Sequence, residues 1–167
     1  MAVNNFDYQL SWSDFSPQSI TPGNANEFAQ IHPDMTFSNF TMSRNRRGVV
    51  ISGVDINIRL ITDDCWVVSG HTAADLLKHE QGHYDIVALT ARQFYNSLIG
   101  LSAANATALQ QRMNTLLQTY HSNARTVDSR YDSLTNHGAN VSVQQSWDRQ
   151  IAAAKANPRG TINDLPS

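Results

Sequence analysis

The run His79-Glu80-Gln81-Gly82-His83 spells H-E-x-x-H inside a stretch whose apolar residues recur at helical spacing, the pattern of a zinc hydrolase signature. On a helix, side chains four apart lie one above the other, so the imidazoles of His79 and His83 can meet at a single point. A metal ion could sit there. Neutral imidazole suits Zn²⁺, and a catalytic zinc keeps three protein ligands plus one open position, where the pKa of a bound water falls to about 7. Glu80 lies one residue round from His79, too far for an equivalent ligand and well placed to reach such a water. Its expected role is general base.

Spacing alone does not choose the third ligand. His32 falls in an irregular stretch beside Pro33, and His71 stands just before the helix, so both fit a structural or supporting role better. His121 would face the motif if the next helix packs straight back, whereas His137 needs the chain to hook back around Gly138. Carboxylates compete with all four, because both donor types suit zinc. Asp85, two residues after His83, could orient another ligand through that ligand's second ring nitrogen.

The elements that must position these groups are legible in outline. Leu76, Leu77, Val87, Thr90, Ala91, Phe94 and Leu98 repeat at three- and four-residue spacing, predicting a helix from about Ala73 to Leu98, with Thr72 and Asp75 as a capping box. Leu109, Met113, Leu116, Leu117 and Tyr120 predict a second helix from about Ala103 to Arg130, antiparallel to the first. A break over Tyr131 to Asn140 separates it from a third helix at Val141 to Ala156, and residues 157–167 read as a loose tail. Residues 1–70 have strand character, with candidates at Tyr8 to Trp12, Met35 to Met42, Val49 to Ile61 and Cys65 to Val68. Val54, Ile56, Ile58 and Leu60 alternate with Asp55, Asn57 and Arg59, the period of a sheet with one wet face. Gly53 marks a candidate bulge. The expected architecture is α+β: an N-terminal antiparallel sheet, the H-E-x-x-H helix and two further helices.

With 167 residues, 41% of them hydrophobic, the chain suits a single domain with one core spanning 1–167. A net charge of -2 gives no reason to expect nucleic acid as a partner, and the one basic cluster, Arg44, Arg46 and Arg47, reads as a solvated hairpin turn. Cys65 stands alone, which excludes an intrachain disulfide and a thiolate zinc cluster. No run is long enough to insert in a membrane, and Met1 to Tyr8 is polar rather than an apolar signal segment.

The stretch Leu76-Leu77-Lys78-His79-Glu80-Gln81-Gly82-His83-Tyr84-Asp85-Ile86, followed by Tyr131-Asp132, Thr135, His137-Gly138 and Gln144 to Trp147, resembles the bacterial domain-of-unknown-function family number 922. The opening Leu10-Ser11-Trp12-Ser13-Asp14-Phe15 joins it more loosely. The resemblance implies a predicted secreted zinc-dependent protease of zincin-like build, in an extracytoplasmic setting. Its second motif, Tyr-Asp-x-x-Thr-x-His-Gly, implicates Tyr131, Asp132 and His137. On that basis His137 is the favoured third ligand, with Asp132 and His121 as alternatives, and Tyr131 is a candidate donor to a developing oxyanion.

The leading expectation is therefore a zinc metallopeptidase acting on peptide or protein substrates, with Glu80 activating the attacking water. In such a build a strand edge beside the cleft, Cys65 to Val68 or Val54 to Leu60, could align an extended peptide. A zinc amidase on another substrate, such as a peptidoglycan cross-link, would use the same residues. A binding or scaffolding domain with a structural metal, or none, is the reading from another class. Oligomeric state is not encoded in any of these patterns.

Overall fold

A computed structural model describes residues 2–23, 27–46 and 48–166. Among them, six strands interleaved with 3-10 turns precede the first of three helices, and a short seventh strand lies between the first two helices. The elements are β1 Ala2–Asn4, β2 Ser16–Gln18, β3 Ala29–Gln30, β4 Pro33–Asn45, β5 Gly48–Leu60, β6 Trp66–Val68, α1 Ala74–Leu98, β7 Ser102–Ala103, α2 Ala106–Thr135 and α3 Val141–Ala156. The protein is α+β, as expected. Its sheets are mixed rather than antiparallel. β5 pairs in parallel with β1 and antiparallel with β4 and β7, and β6 pairs in parallel with β2 and antiparallel with β3. The parallel pairs arise because β1 and β2 lie far from their partners in sequence, outside the reach of hairpin reasoning.

β5 carries the alternation read from the sequence: Val54, Ile56 and Ile58 are wholly buried. Its register against β4 shifts around Thr41, which pairs Gly53, so the bulge sits opposite that glycine, where Asn39 takes a left-handed φ of 51°. Arg44 and Arg46 lie exposed at the β4–β5 hairpin end, while Arg47 lies outside the described residues.

α1 runs through the middle of the molecule and is buried on two faces. Tyr84, Ala88, Ala91, Phe94 and Leu98 pack with the β5 residues and with Leu109 and Met113 of α2. Ile86 and Leu89 instead join Val127, Tyr131, Trp147 and Ile151 in a second apolar cluster. A helix enclosed this way cannot shift or rotate without opening one of the two cores, which is what a fixed site needs. Along the α1–α2 seam Phe94 meets Tyr120, His83 meets Asp128 and His79 meets Asp132, so the helices are antiparallel.

Several expectations are corrected. Tyr8 to Trp12 is not a strand: the Gln81 side chain takes the Leu10 N–H (2.8 Å) and donates to the Tyr8 carbonyl (3.1 Å), and a 3-10 turn starts at Trp12. A side chain has replaced the neighbouring strand as partner. α1 is capped by Ala73 with no side-chain bond, so Thr72 and Asp75 form no capping box. α2 continues through Tyr131 and Asp132 to Thr135, because Tyr131 and Thr135 are buried against the other helices; Asn136, in the left-handed region, stops it. The tail is docked rather than loose: Ile162 and Leu165 enter the second apolar cluster, and Arg130 donates to the Pro166 carbonyl (3.0 Å).

Candidate metal centre

His79 and His83 project from the second and third turns of α1 toward α2, and the partners of their outer nitrogens decide what the inner nitrogens present. His83 Nδ1 lies 2.6 Å from Asp128 Oδ1. His79 Nδ1 lies 3.0 Å from Gln144 Oε1. The Gln144 orientation follows from its other end, which donates to Asp148 Oδ1 (2.7 Å) and Tyr131 Oη (2.6 Å), since a carboxylate can only accept. Both Nδ1 atoms therefore carry hydrogen, so on a neutral ring it is Nε2 that turns a lone pair into the cleft, whereas a protonated ring donates from Nε2 to Asp132.

Those lone pairs converge. The two Nε2 atoms are 3.2 Å apart, and Asp132 Oδ1 lies 3.1 Å from each. With both rings neutral, three acceptors at such spacing repel one another, so the cluster calls for a proton or a metal ion among them. A tetrahedral site with bonds near 2.0–2.1 Å has ligand atoms ~3.4 Å apart, so the triangle is close to one face of such a site. His137 Nδ1 stands 3.5 Å from the same Asp132 oxygen. His79, Asp132 and His137 form one group able to hold a metal ion, and His83, Asp128 and Asp132 form another that shares Asp132.

The titration of these groups expresses the same demand for positive charge. Burial pushes the Asp132 carboxyl up, but hydrogen bonds from His79 and His83 outweigh it and hold it below the usual carboxylate range. Burial would lower His83, yet the facing Asp128 and Asp132 carboxylates raise it well above an ordinary histidine. Glu80, 2% exposed, is raised by desolvation, with His83, His79 and the Ile31 N–H pulling the other way.

Local sequence explains why the cluster assembles. Gly82 leaves room for the Tyr131 ring to lie directly on α1, where any Cβ would overlap the Tyr131 hydroxyl. After α2, Asn136, His137 and Gly138 all have positive φ, turning the chain back so that Gly138 packs against the His79 side chain. A Cβ there would approach His79 Cβ to 3.2 Å, so glycine meets both the conformation and the space. This is the hook that brings His137 to the cleft.

The cleft, about 410 Å³, opens beside the cluster between α1, α2 and the segment from Glu27 to Met35. Its sheet-side wall is β3. Val68 N–H bonds the Phe28 carbonyl (2.8 Å), so antiparallel alternation turns the Ala29 backbone groups away from β6, on the side where Ile31 N–H meets Glu80. The edge strand at the cleft is thus β3; β6 and β5, the two candidates read from the sequence, are interior strands with partners on both sides.

Residues 68–138 match the family described as "Bacterial protein of unknown function (DUF922)". No curated protein and no solved structure matches the chain. The matched segment begins at the end of β6 and closes at the Gly138 hook, enclosing His79, Glu80, His83, Asp128, Asp132 and His137. Gln144 and the β3 wall come from outside it.

Of the site residues expected from the sequence, His79, Glu80, His83, Asp132 and His137 come together at the cleft. Tyr131 does not serve as an oxyanion donor: its hydroxyl is buried, donates to the His79 carbonyl (3.1 Å) and accepts from Gln144, while its ring stacks on His79 at 4.8 Å. It holds His79 in place instead. His121 is on the cleft wall, but its Nε2–H donates to the Met35 carbonyl (3.0 Å). His32 pairs with Asp64 (2.8 Å), and His71 stacks on Phe28 at 4.1 Å. Asp85 points toward α3 and holds Lys155 (2.7 Å), so it supports no ligand. Asp128 is a positioning residue that sequence reasoning misses; its signal is the four-residue spacing to Asp132, which places both carboxylates on one helix face.

Proposed function

We propose that the chain is a zinc-dependent metallopeptidase of zincin-like build that hydrolyses peptide bonds in an extended substrate. The observation that carries this reading is the convergence of two imidazole lone pairs and a carboxylate oxygen beside a buried glutamate in an open cleft. Nitrogen and oxygen donors in this number suit zinc, and His79, His83 and Asp132 would hold it, with His137 at the rim. When bound, zinc polarises a carbonyl and lowers the pKa of water.

The protein's own groups do the rest. Desolvation raises Glu80 toward the working range of a general base, so its carboxylate can take a proton from the attacking water and return it to the leaving amine. Ile31 N–H lies near that carboxylate and favours its charged form. Asp128 and Gln144 hold the imidazoles in the tautomer that presents Nε2. The Ala29 backbone groups of β3 offer main-chain pairing to an extended peptide lying along the cleft, which would bring a scissile carbonyl past Glu80. An open cleft beside the ligand atoms also argues against a purely structural metal, whose coordination is closed.

Glu80→Gln tests the reading. It should bind zinc as the parent does and lose turnover of a quenched fluorescent peptide mixture by ~10²–10⁴-fold. Parental turnover in that variant would end the proposal.

A further inference from the structure

The cleft wall carries five acidic side chains, Glu27, Asp34, Glu80, Asp128 and Asp132, and among the described residues a single lysine or arginine, Arg125. The acids are committed: Asp34 to Arg59 (3.2 Å), Asp128 and Asp132 to the histidines, Glu80 to Ile31 N–H, and Glu27 beside His137 at 3.9 Å. Five cations elsewhere are committed as well. Lys78 holds Asp148, Lys155 holds Asp85, Arg92 holds the Ala154 and Asn157 carbonyls, Arg112 the Ser102 carbonyl and Arg130 the Pro166 carbonyl. Among the described residues Arg125 is exposed on the cleft wall with no hydrogen bond or ion pair, although Asp128 lies one turn away on the same helix.

Its place along α2 sets its register against a substrate. Arg125 precedes Asp132 by seven residues, which is two turns and ~10 Å of helix on the same face. An extended peptide advances ~3.3 Å per residue, so that span covers about three residues, and the flexible arginine stem shortens it further. The neighbouring Ala124 is small and buried at the wall.

We propose that Arg125 is a specificity-determining residue that binds a substrate carboxylate one to three residues from the bond cleaved. This rests on the peptidase reading for the register of the bond, while the carboxylate site stands on the geometry of the cleft. Guanidinium and carboxylate match as a bidentate pair, and the carboxylate belongs either to an acidic side chain or to the end of the substrate chain.

The test is calorimetric binding to the zinc-loaded Glu80→Gln variant of three peptides: an acetylated, amidated peptide bearing one Glu, its Gln counterpart, and that counterpart with a free C-terminal carboxylate. One of the two carboxylate peptides should bind ~10- to 100-fold more tightly than the neutral one, the strength of a charged hydrogen bond, and which one identifies the source. Adding Arg125→Gln should erase the difference, and Arg125→Glu should reverse it, so that the carboxylate peptide binds more weakly than the neutral one. Equal affinity for all three, or a preference that survives Arg125→Gln, overturns the proposal. The same peptides are then offered to the unmutated, zinc-loaded protein. Arg125-dependent binding without cleavage would remove the peptidase reading and leave the carboxylate site standing.

Discussion

Gly82→Ala puts helix propensity and packing in direct opposition, and the structure decides the sign. In an open helix interior, alanine is favoured over glycine by ~1 kcal/mol. At Gly82 the new methyl would come within 2.6 Å of Tyr131 Cζ and 3.0 Å of Cε1, as well as overlapping the hydroxyl. Carbon pairs prefer ~3.5–4.0 Å, so the ring must retreat by ~1 Å. It has nowhere to go: Tyr131 is wholly buried between His79 (4.8 Å), His83 (5.0 Å) and Trp147 (5.1 Å). Overpacking costs ~1–3 kcal/mol, and disturbing the hydroxyl's two buried hydrogen bonds costs ~1 kcal/mol each. Set against the propensity gain, the net loss is ~2–4 kcal/mol, a fall in Tm of roughly 4–16 °C at this chain length. Circular dichroism melts of the metal-free protein measure it. A Tm equal to or above the parent's would refute the packing argument, and Tyr131→Ala should relieve the Gly82→Ala penalty in the double variant.

Asp132→Ala should weaken zinc binding more than His137→Ala, because Asp132 Oδ1 is 3.1 Å from both Nε2 atoms while His137 stands 3.5 Å beyond it; competition with a chromophoric chelator ranks them, and the reverse order would make His137 the third ligand. Asp128→Asn should lower zinc affinity ~10- to 100-fold in the same assay with the fold unchanged, and unaltered affinity would remove Asp128 from its positioning role. Lys155→Met should destabilise the protein by ~3 kcal/mol in urea, since it strands Asp85 in a largely buried site. Desolvation already raises Asp85, and without Lys155 it rises further, so the folded state binds more protons than the unfolded one. The deficit should be smallest below ~pH 4, the unfolded carboxylate range, and grow as pH rises through the raised value; a pH-independent deficit would contradict this.

What can be read from the sequence is local. The H-E-x-x-H helix, β5 and α3 each announce themselves through periodicity within one element, and Gly138 marks the hook that brings His137 back. What cannot be read depends on partners distant in the chain. The Tyr8 to Trp12 segment alternates like a strand, yet its backbone is held by Gln81, more than seventy positions on. Tyr131 reads as a free donor because nothing nearby in sequence reveals that Gly82 opens a slot for it. Gln144 lies 65 positions beyond His79 and on another helix, so its hold on that ring follows only from how α3 packs. The edge strand escapes sequence reasoning for the same reason: β3 is two residues long, too short for any pattern, and its exposure to the cleft is a property of sheet order.

The most direct test of the account is metal content by elemental mass spectrometry, on untagged protein and on its His79→Ala/His83→Ala variant, each equilibrated with zinc and freed of excess. One zinc per chain in the parent and none in the variant is the predicted result. A parent without zinc, or a variant that keeps it, would contradict the metal centre and the peptidase reading built on it.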